Sequence, residues 1–419
     1  MGTIEILGRV PLQGNVVIQG SKNAALPILA ATILTEDTSY IKNCPRIADV
    51  CGMIRLLEEI GCRVRRRSDG IETDSSGVGK KVIRLDSEAV TGMRSSLCLL
   101  GALIGKCREV VMEYPGGCVI GARPIDMHIR ALEQMGVSFV LKNGCLRAST
   151  DDLHGAQISL PKVSVGATEN VILAAVAAEG ETLIRGAARE PEVVALCRFL
   201  SACGARIGGI GTDCLTVCGG KKLYGREYTI PADRIVAGTY LFACIGTGGT
   251  VFLEKAPCRE MEAVIETAVY MGGKIWTSES GMYVQGPVRP FSVPLIRTAP
   301  YPGFPTDLQS AALAAETLGD AETVIEETIF ENRFRIVGEL QKMGACIVQE
   351  SDRCVRVTGV PYLMGCPVTA AELRGGAALV TAGLMARGKT KVSGCSYIER
   401  GYENICRDFR DLGARVVSE

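Results

Sequence analysis

Histidine, aromatic residues and net charge are scarce in this sequence. Among 419 residues there are two histidines and 5% aromatic residues, and 46 basic side chains balance 46 acidic ones. Without an excess of positive charge the chain lacks the basic surface that binding to nucleic-acid phosphates requires. The 18 cysteines form no C-x-x-C pair, so they do not have the spacing of zinc or iron–sulfur ligands. The composition therefore argues against a nucleic-acid-binding protein and against a metalloprotein.

Long apolar runs and the features of a signal peptide are also missing. The apolar stretches at 97–105 and 171–178 are far shorter than the roughly 20 residues that span a membrane. The first residues, MGTIE, lack the basic and apolar regions of a secretory signal. We therefore expect a cytoplasmic protein without a membrane segment, in which most cysteines are small buried side chains.

A pattern of an apolar helical face, a glycine and a short strand occurs six times. The six glycines, 68 to 75 residues apart, are Gly61, Gly136, Gly204, Gly272, Gly344 and Gly413. A glycine in this place is typical of the left-handed residue that ends a helix. The segment KNAAL at Lys22 is similar to DRIVA at Asp233, 211 residues later. The repeat predicts two halves of three α/β units each, with a junction near residue 230.

Polar and charged residues stand just before the first helix of most units. Helix N-termini carry unpaired N–H groups and a partial positive charge, and they bind anions. These positions are Ser21, Lys22, Arg94, Ser164, Thr168, Asp233, Arg234, Thr306, Asp307 and Arg374, and later loops add Cys118, Arg123, Glu190, Arg333 and Arg400. Their recurrence at one place in the repeat predicts a shared anion-binding cleft. The structural alternative makes Ser21 and Thr306 helix caps and the arginines solvated surface residues.

Cys118 differs from the other cysteines because it lies in a glycine-rich segment, PGGCVIGARP, at 115–124. Such a segment is typical of an exposed loop. Arg123, five residues later, favours the thiolate, which is the reactive form of the side chain. Cys118 is therefore either a reactive thiol or an incidental one in a tight turn.

Seven short motifs follow one another along the chain. They are GSKNAALP at 20–27, PGGCVIGARP at 115–124, KVSVGA at 162–167, AREPE at 188–192, FPTD at 304–307, FENRF at 330–334 and RGY at 400–402. In this order they resemble the UDP-N-acetylglucosamine enolpyruvyl transferases (UDP-N-acetylglucosamine 1-carboxyvinyltransferases) of the EPSP synthase superfamily. The resemblance implies two inside-out α/β barrel domains of three repeated units each, one at 22–229 and the other at 1–21 plus 230–419.

The resemblance also implies an activity. The enolpyruvyl group of phosphoenolpyruvate is moved to the 3-hydroxyl of UDP-N-acetylglucosamine with release of phosphate, the first committed step of peptidoglycan synthesis. Phosphoenolpyruvate is then a co-substrate, and neither a cofactor nor a metal is expected. By resemblance, Asp307 takes the proton of the sugar hydroxyl, and Cys118 is a general acid or a thiol that forms an adduct with phosphoenolpyruvate. The epoxide antibiotic fosfomycin is expected to modify Cys118.

The other site residues that the resemblance implies contact the substrates. The phosphate of phosphoenolpyruvate is bound by Lys22, Arg123 and Arg400, with Arg333 nearby and Arg374 on the carboxylate side. Asn23 holds the sugar, and Ile329 is a further substrate-binding position. The residues that contact uridine diphosphate are Arg94, Arg123, Pro124, Ile125, Asp126, Lys162, Val163, Ser164 and Gly166. Closure of the two halves is expected to exclude water and to bring Asp307 opposite Cys118.

Four positions depart from the family pattern. Glu372 stands where aspartate is frequent, Ala48 where a basic residue is frequent, Val236 where an acid is common and Tyr397 where histidine is often found. These departures leave open a divergent paralogue with altered kinetics. Three other functions also stay open: a 5-enolpyruvylshikimate-3-phosphate synthase-like transferase, a non-catalytic UDP-sugar-binding regulator on the same scaffold, and a thiol redox protein, which only the cysteine count favours.

Overall fold

The chain folds into two compact units. The computed structural model describes residues 2–79, 82–85, 94–113 and 125–418, with the backbone alone at 94 and 95. Unit 1 consists of the described residues from 20 to 231, and unit 2 of residues 2–19 and 232–418. Each unit has its own hydrophobic core.

Twelve α-helices lie in the described part of the chain. They are α1 (Lys22–Ala31), α2 (Ala48–Glu59), α3 (Leu99–Cys107), α4 (Asp126–Glu133), α5 (Val165–Ala175), α6 (Pro191–Ala202), α7 (Arg234–Thr247), α8 (Glu262–Tyr270), α9 (Gln309–Glu316), α10 (Val337–Lys342), α11 (Leu373–Met385) and α12 (Ile405–Asp411). Short 3₁₀ helices cover Thr32–Leu34, Arg94–Cys98, Cys258–Glu260, Thr306–Leu308, Arg333–Ile336 and Cys395–Arg400. Among the described residues no helix is both long and apolar enough to cross a membrane.

Twenty-four strands accompany these helices in the described residues. They are β1 (Ile4–Leu7), β2 (Gln13–Val17), β3 (Ser39–Lys42), β4 (Arg63–Arg66), β5 (Gly70–Asp74), β6 (Ile83–Leu85), β7 (Glu109–Glu113), β8 (Ser138–Lys142), β9 (Cys145–Ser149), β10 (Gln157–Ser159), β11 (Glu181–Arg185), β12 (Arg206–Gly208), β13 (Cys214–Cys218), β14 (Glu227–Thr229), β15 (Thr250–Glu254), β16 (Lys274–Ser278), β17 (Gly281–Gln285), β18 (Leu295–Arg297), β19 (Glu322–Glu326), β20 (Cys346–Ser351), β21 (Cys354–Thr358), β22 (Pro367–Thr369), β23 (Lys389–Ser393) and β24 (Arg415–Ser418). In strands such as β11 buried positions alternate with more exposed ones, which is typical of sheets with one face on a core.

The strands form six four-stranded sheets with one common pattern. The strand orders are β14-β3-β5-β4, β6-β7-β9-β8 and β10-β11-β13-β12 in unit 1, and β2-β15-β17-β16, β18-β19-β21-β20 and β22-β23-β1-β24 in unit 2. In each sheet the first two strands are parallel and the other neighbours are antiparallel. The six glycines of the repeat all have positive φ, between 80° and 112°. The predicted sixfold repeat is confirmed.

The first helix of each repeat lies inside its unit. In α7 every residue from Arg234 to Ile245 is buried, and α9 is buried along its whole length. These helices consist mainly of apolar residues and are buried on all sides, as expected of helices that are surrounded by protein. In unit 2, α7, α9 and α11 pack against one another. Helices inside and sheets outside make each unit an inside-out α/β barrel, as the resemblance implies.

The first helices can pack closely because small residues separate them. In unit 1, α3 crosses α5 at Gly101, where a Cβ would lie 2.2 Å from the carbonyl oxygen of Asn170. Any side chain at this position would force the two helices apart. The close approach also lets the buried Asn170 side chain accept a hydrogen bond from the Gly101 N–H at 2.7 Å.

The chain passes from one unit to the other twice, once after β2 and once after β14. Strand β2 precedes α1 of unit 1 but pairs with β15 of unit 2, whereas β14 follows the last repeat of unit 1 and pairs with β3 of that unit. The Ser21 N–H donates to the Pro231 carbonyl within unit 1, and the Asp233 N–H donates to the Gln19 carbonyl within unit 2, both at 2.8 Å. Each crossing is therefore fastened at both of its ends, just before a helix that carries candidate site residues.

Candidate active site

Asp307 in unit 2 is held by two arginines. Its Oδ1 lies 2.5 Å from Nη2 of Arg333, and its Oδ2 lies 2.8 Å from Nη2 of Arg374. The arginine side chains are 2% and 5% exposed, whereas Asp307 keeps 22% exposure. The structure thus brings together three of the residues that the sequence analysis singled out. We call this arrangement of Asp307, Arg333 and Arg374 the arginine clamp.

Three separate elements build the clamp. Asp307 lies in the 3₁₀ helix Thr306–Leu308 that leads into α9, and Arg333 begins the 3₁₀ helix Arg333–Ile336. Arg374 is the second residue of α11, whose N-cap is Glu372. The Glu372 carboxylate accepts hydrogen bonds from the N–H groups of Arg374 and Gly375. Although the glutamate side chain is longer than that of aspartate, Glu372 therefore still caps the helix that carries Arg374. Its Oε2 also lies 3.8 Å from Nη1 of Arg333.

The charges of the clamp decide the protonation of Asp307. Burial by itself raises the pKa of this carboxyl, but Arg374 and Arg333 outweigh it and hold the pKa well below its usual value. Asp307 is therefore ionised at neutral pH. Burial lowers the pKa of Arg374, but Asp307 is the largest of the groups that raise it, and the net shift is upward.

Each arginine of the clamp also has an unused donor. Nε of Arg333 and Nη1 of Arg374 are buried and have no hydrogen-bond partner among the described residues. Buried polar groups are nearly always paired in folded proteins, so two such donors on the arginines of one cluster indicate a missing acceptor. A carboxylate or phosphate of a ligand is the acceptor that guanidinium groups bind most strongly.

Thr306 does not cap a helix, which corrects the structural alternative from the sequence. The N-cap position of this 3₁₀ helix is Pro305, and no side chain caps the helix there. The Thr306 hydroxyl donates instead to Oε2 of Glu327 at 2.8 Å. The other oxygen of Glu327 accepts the N–H groups of Ile329 and Phe330 at 2.8 and 3.1 Å. Because Glu327 joins the two segments, it fixes the loop with Ile329 next to the segment with Asp307.

Arg400 and Tyr402 belong to the last repeat of unit 2. Arg400 ends the 3₁₀ helix Cys395–Arg400 and is partly buried. Tyr402 is 2% exposed, its hydroxyl lies 2.8 Å from the Thr239 hydroxyl, and the charge of Arg374 acts on the same hydroxyl. The RGY motif therefore brings a tyrosine behind the arginine clamp, a contact that sequence spacing could not reveal.

Lys22 is the principal candidate in unit 1. It begins α1, which Ser21 caps by accepting the Ala24 N–H at 3.3 Å, as predicted. Its Nζ lies 2.7 Å from Oδ2 of Asp49, and the two side chains are 11% and 6% exposed. Asn23 follows it and is partly buried. The sequence analysis missed Asp49, although an acidic residue in the first turn of α2 was a signal that could have found it.

The segments expected to hold the nucleotide also lie in unit 1. Ser164 caps α5 by accepting the Ala167 N–H at 3.3 Å, while Lys162 and Val163 are exposed. Ile125 precedes α4 and is buried, and Oδ1 of Asp126, the first residue of α4, is buried without a hydrogen-bond partner among the described residues. An unpaired buried acceptor suits a ligand that donates an N–H group.

His128 and Asn170 support the start of α5, and the sequence did not single out either one for a role. The Nδ2 of Asn170 lies 2.9 Å from Nδ1 of His128 and donates to the Leu97 carbonyl at 3.0 Å. A Cβ on Gly166 would lie 3.2 Å from Cε1 of His128. The glycine therefore allows the buried imidazole to lie directly against the first turn of α5.

The comparisons with known proteins show the family of the chain. The family model of EPSP synthase (3-phosphoshikimate 1-carboxyvinyltransferase) matches residues 6–409. The chain belongs to the EPSP synthase family. The EPSP synthase superfamily, to which the seven motifs pointed, is thereby confirmed.

Relatives within the EPSP synthase family are similar over their whole length. The chain is 44% identical over 417 residues to UDP-N-acetylglucosamine 1-carboxyvinyltransferase 2 of Caldanaerobacter subterraneus subsp. tengcongensis. The matched region covers 100% of this chain and 99% of the relative. It is 42% identical over 416 residues to the UDP-N-acetylglucosamine 1-carboxyvinyltransferase of Lawsonia intracellularis, with 99% of each chain covered.

Solved structures show the same fold. The enolpyruvyl transferase NikO from Streptomyces tendae is similar with a TM-score of 0.87 at 20% identity, over 100% of this chain and 99% of that one. The EPSP synthase of Acinetobacter baumannii is similar with a TM-score of 0.75 at 18% identity, over 100% of both chains. At these identities the likeness concerns the fold.

Several residues that the EPSP synthase family resemblance implies lie outside the described residues. These are Cys118, Arg123 and Pro124, together with the side chain of Arg94. Their roles stay predictions. Of the positions that depart from the pattern, Ala48 begins α2 beside Asp49, Val236 is fully buried in α7 and Tyr397 is 38% exposed.

The described cysteines of this family member are mostly buried, as the sequence analysis expected, but not all of them are. Of the 17 described cysteines nine are buried, six are partly buried and two are exposed, and none forms a disulfide. Burial raises the pKa of the Cys107 thiol to about 11 and that of Cys197 to about 12. The buried thiols are therefore poor nucleophiles at neutral pH.

Proposed function

We propose that the protein transfers the enolpyruvyl group of phosphoenolpyruvate to the 3-hydroxyl of UDP-N-acetylglucosamine and releases phosphate. Relatives that carry the name of this activity are 41–44% identical along the whole chain. The observation that carries the proposal in the structure is the arginine clamp, in which a buried pair of guanidinium groups with unused donors holds a carboxylate. The activity is the first committed step of peptidoglycan synthesis.

The chemistry is an addition followed by an elimination. In the addition the 3-hydroxyl oxygen forms a bond to C2 of phosphoenolpyruvate, the hydroxyl proton passes to a base, and the electron pair of the C2–C3 double bond takes up a proton at C3. In the elimination C3 loses a proton, the double bond forms again, and phosphate leaves with the electron pair of its bond to C2. The enolpyruvyl group passes to the sugar oxygen, phosphate leaves, and no group changes its oxidation state overall, so phosphoenolpyruvate is a co-substrate and we propose no further cofactor.

Asp307 is the proposed base. Its carboxylate is partly exposed, whereas the arginines around it are buried, so a substrate reaches Asp307 from the solvent side. The unused donors of Arg333 and Arg374 suit the carboxylate of phosphoenolpyruvate. Arg400, Lys22 and Arg123 are the proposed ligands of its phosphate, since permanently or strongly charged side chains offset the substrate's negative charge.

Cys118 is the proposed partner of the base. It delivers the proton to C3 as a general acid, or forms an adduct with phosphoenolpyruvate through its thiolate. A thiol in a glycine-rich segment, with a basic side chain five residues later, also suits covalent capture by fosfomycin, whose epoxide opens on attack by sulfur. Glycine-rich sequence on both sides of Cys118 and the nearby Arg123 support this role.

The nucleotide has its proposed ligands in unit 1. The capped start of α5 at Ser164, with exposed Lys162 before it, is a helix N-terminus suited to the diphosphate. The unpaired Oδ1 of Asp126 suits an N–H group of the uracil ring, next to Ile125. The remaining proposed contacts are Asn23 with the sugar, and Arg94, Pro124, Val163, Gly166 and Ile329.

Phosphate release with two alternative acceptors tests the proposal. Purified protein with phosphoenolpyruvate is expected to release phosphate when UDP-N-acetylglucosamine is added and not when shikimate 3-phosphate is added. Release only with shikimate 3-phosphate would instead establish the activity in the description of the family model. Release with neither acceptor, in a protein that still binds UDP-N-acetylglucosamine, would favour the non-catalytic regulator.

A further inference from the structure

The arginine clamp holds Asp307 in a state that opposes its role as a base. Both carboxylate oxygens are paired, at 2.5 Å with Arg333 and at 2.8 Å with Arg374. A carboxylate next to two positive charges binds a proton weakly, because protonation would forfeit both charge-assisted hydrogen bonds. Proton transfer from the sugar hydroxyl therefore requires that something first loosens the clamp.

The unused donors show where the loosening can start. Nε of Arg333 and Nη1 of Arg374 are buried and have no partner among the described residues. A guanidinium presents five N–H groups in one rigid plane, so a new carboxylate bound through these donors competes with Asp307 for the same charge. Arg333 has a second competitor within reach already, since its Nη1 lies 3.8 Å from Oε2 of Glu372.

We propose that phosphoenolpyruvate unlocks this base: its carboxylate binds the unused donors of Arg333 and Arg374, draws both guanidinium groups away from Asp307, and so frees Asp307 to take the proton of the sugar hydroxyl. This inference rests on the proposed function and adds a coupling to it. The proton passes from the 3-hydroxyl to Asp307 as the hydroxyl oxygen bonds to C2 of phosphoenolpyruvate, and C3 takes up a proton with the electron pair of the double bond.

Because Asp307 is mostly buried, binding of phosphoenolpyruvate changes its pKa in one direction, upward. Its side chain is 22% exposed, and burial raises the pKa of a carboxyl whereas the two arginines lower it. A bound anion partly neutralises the two arginines, so they lower the pKa of Asp307 less strongly. The effect of burial then weighs more, and the pKa of Asp307 rises. Sugar nucleotide that binds before phosphoenolpyruvate then meets an ionised, clamped carboxylate, and its hydroxyl keeps its proton.

Other ionisable groups surround the clamp and do not release it. They are Asp233 at the start of α7, Arg234 over the ring of Tyr301, Glu327 beside Thr306, Glu372 at the start of α11, and Tyr402. Asp233 and Glu372 already accept backbone N–H groups of the helices that they cap. These hydrogen bonds hold both carboxylates at the ends of their helices, so a soluble anion is the better competitor for the clamp.

Carbon-13 NMR of the aspartate carboxyl groups tests the inference directly. The Asp307 resonance is identified by its loss in Asp307→Asn, and it is titrated in protein saturated with the 3-deoxy analogue of UDP-N-acetylglucosamine, which cannot react. Addition of phosphoenolpyruvate is expected to raise the midpoint by at least about one pH unit, a tenfold gain in proton affinity. An unchanged midpoint with phosphoenolpyruvate bound, as measured by calorimetry, overturns the inference alone. Failure of phosphoenolpyruvate to bind contradicts the proposed function itself.

A variant pair separates the clamp from general stability. Arg333→Gln removes one guanidinium, and it is expected to raise the Asp307 midpoint by about one unit without phosphoenolpyruvate and to reduce the further rise on its addition. Arg356→Gln is the control, since Arg356 pairs on the surface of the same unit with Glu322 and Glu350. If the midpoint of the Asp307 titration were equal in Arg333→Gln and Arg356→Gln, Arg333 would not control the pKa of Asp307.

Discussion

Lys22 and Asp49 form an ion pair that is almost completely buried, with 2.7 Å between Nζ and Oδ2. Lys22 begins α1 and Asp49 lies in the first turn of α2, so the pair joins two helices of one repeat at the ends that carry the candidate site residues. A lysine held in this way has one orientation for its ammonium group. Asp49 therefore positions the charge that we propose for the phosphate of phosphoenolpyruvate.

Replacing Asp49 is expected to affect both stability and substrate affinity. Asp49→Asn removes the carboxylate charge that pairs with the buried Lys22 ammonium group, and it is expected to lower the free energy of unfolding by about 3 kcal/mol. The KM for phosphoenolpyruvate is expected to rise more than kcat falls. Urea unfolding and steady-state kinetics measure the two effects.

Glu227→Gln is the matched control for Asp49→Asn. Glu227 also pairs with a lysine of unit 1 at 2.7 Å, but the side chains of Lys42 and Glu227 are 33% and 60% exposed. Water and salt screen such a pair, so its loss is expected to leave stability and kinetics nearly unchanged. Equal effects of the two substitutions would show that burial does not make the Lys22–Asp49 pair special.

Asp307→Asn is expected to bind UDP-N-acetylglucosamine with unchanged affinity and to turn over about 10³-fold more slowly, because the amide cannot accept the hydroxyl proton. Isothermal calorimetry and phosphate release measure the two properties. Asp352→Asn, in the exposed turn between β20 and β21, serves as control. A kcat like that of the unchanged protein would remove Asp307 from the mechanism.

Fosfomycin is expected to label Cys118 and to spare Cys107. Burial raises the pKa of the Cys107 thiol to about 11, so this side chain has almost no thiolate at neutral pH. Mass spectrometry after incubation with fosfomycin should find one adduct in the unchanged protein and in Cys107→Ser, and none in Cys118→Ser. An adduct that persists in Cys118→Ser would place the reactive thiol elsewhere.

Glu316 is expected to make unit 2 less stable as the pH rises. It ends α9, and burial raises its pKa to about 7, although it accepts hydrogen bonds from the Thr323 hydroxyl and the Val293 N–H. The folded state then holds a proton that the unfolded chain loses near pH 4.5. Stability from this group is complete below that value and is lost as the pH rises through about 7.

Urea unfolding of Glu316→Gln between pH 4.5 and pH 8 checks this sign. Relative to Glu316→Gln, the wild-type protein is expected to lose about 3 kcal/mol of unfolding free energy over this pH range. Glu279→Gln, at the exposed turn between β16 and β17, should show no such difference in pH dependence. A constant difference between the protein and Glu316→Gln at all pH values would mean that Glu316 stays ionised in the folded state.

Much of the fold could be predicted from the sequence because its signals are local. Gly61 and its five counterparts end helices through their own backbone conformation, with φ near 101° at Gly61 itself. Ser21 and Ser164 cap helices by bonding to N–H groups three residues later. The same signals mislead where a distant partner competes, as at Thr306, whose hydroxyl bonds to Glu327 instead of capping a helix.

The sequence by itself determined the repeat, the ends of its helices, the family and the residue types available for chemistry, since each of these depends on neighbours along the chain. Only the tertiary structure decided that Asp307 lies between Arg333 and Arg374 and that Lys22 lies against Asp49. Those partners come from different helices and repeats. Their pairing follows from how buried helices pack inside each barrel, and this packing sets the burial and the charge on which proton transfer depends.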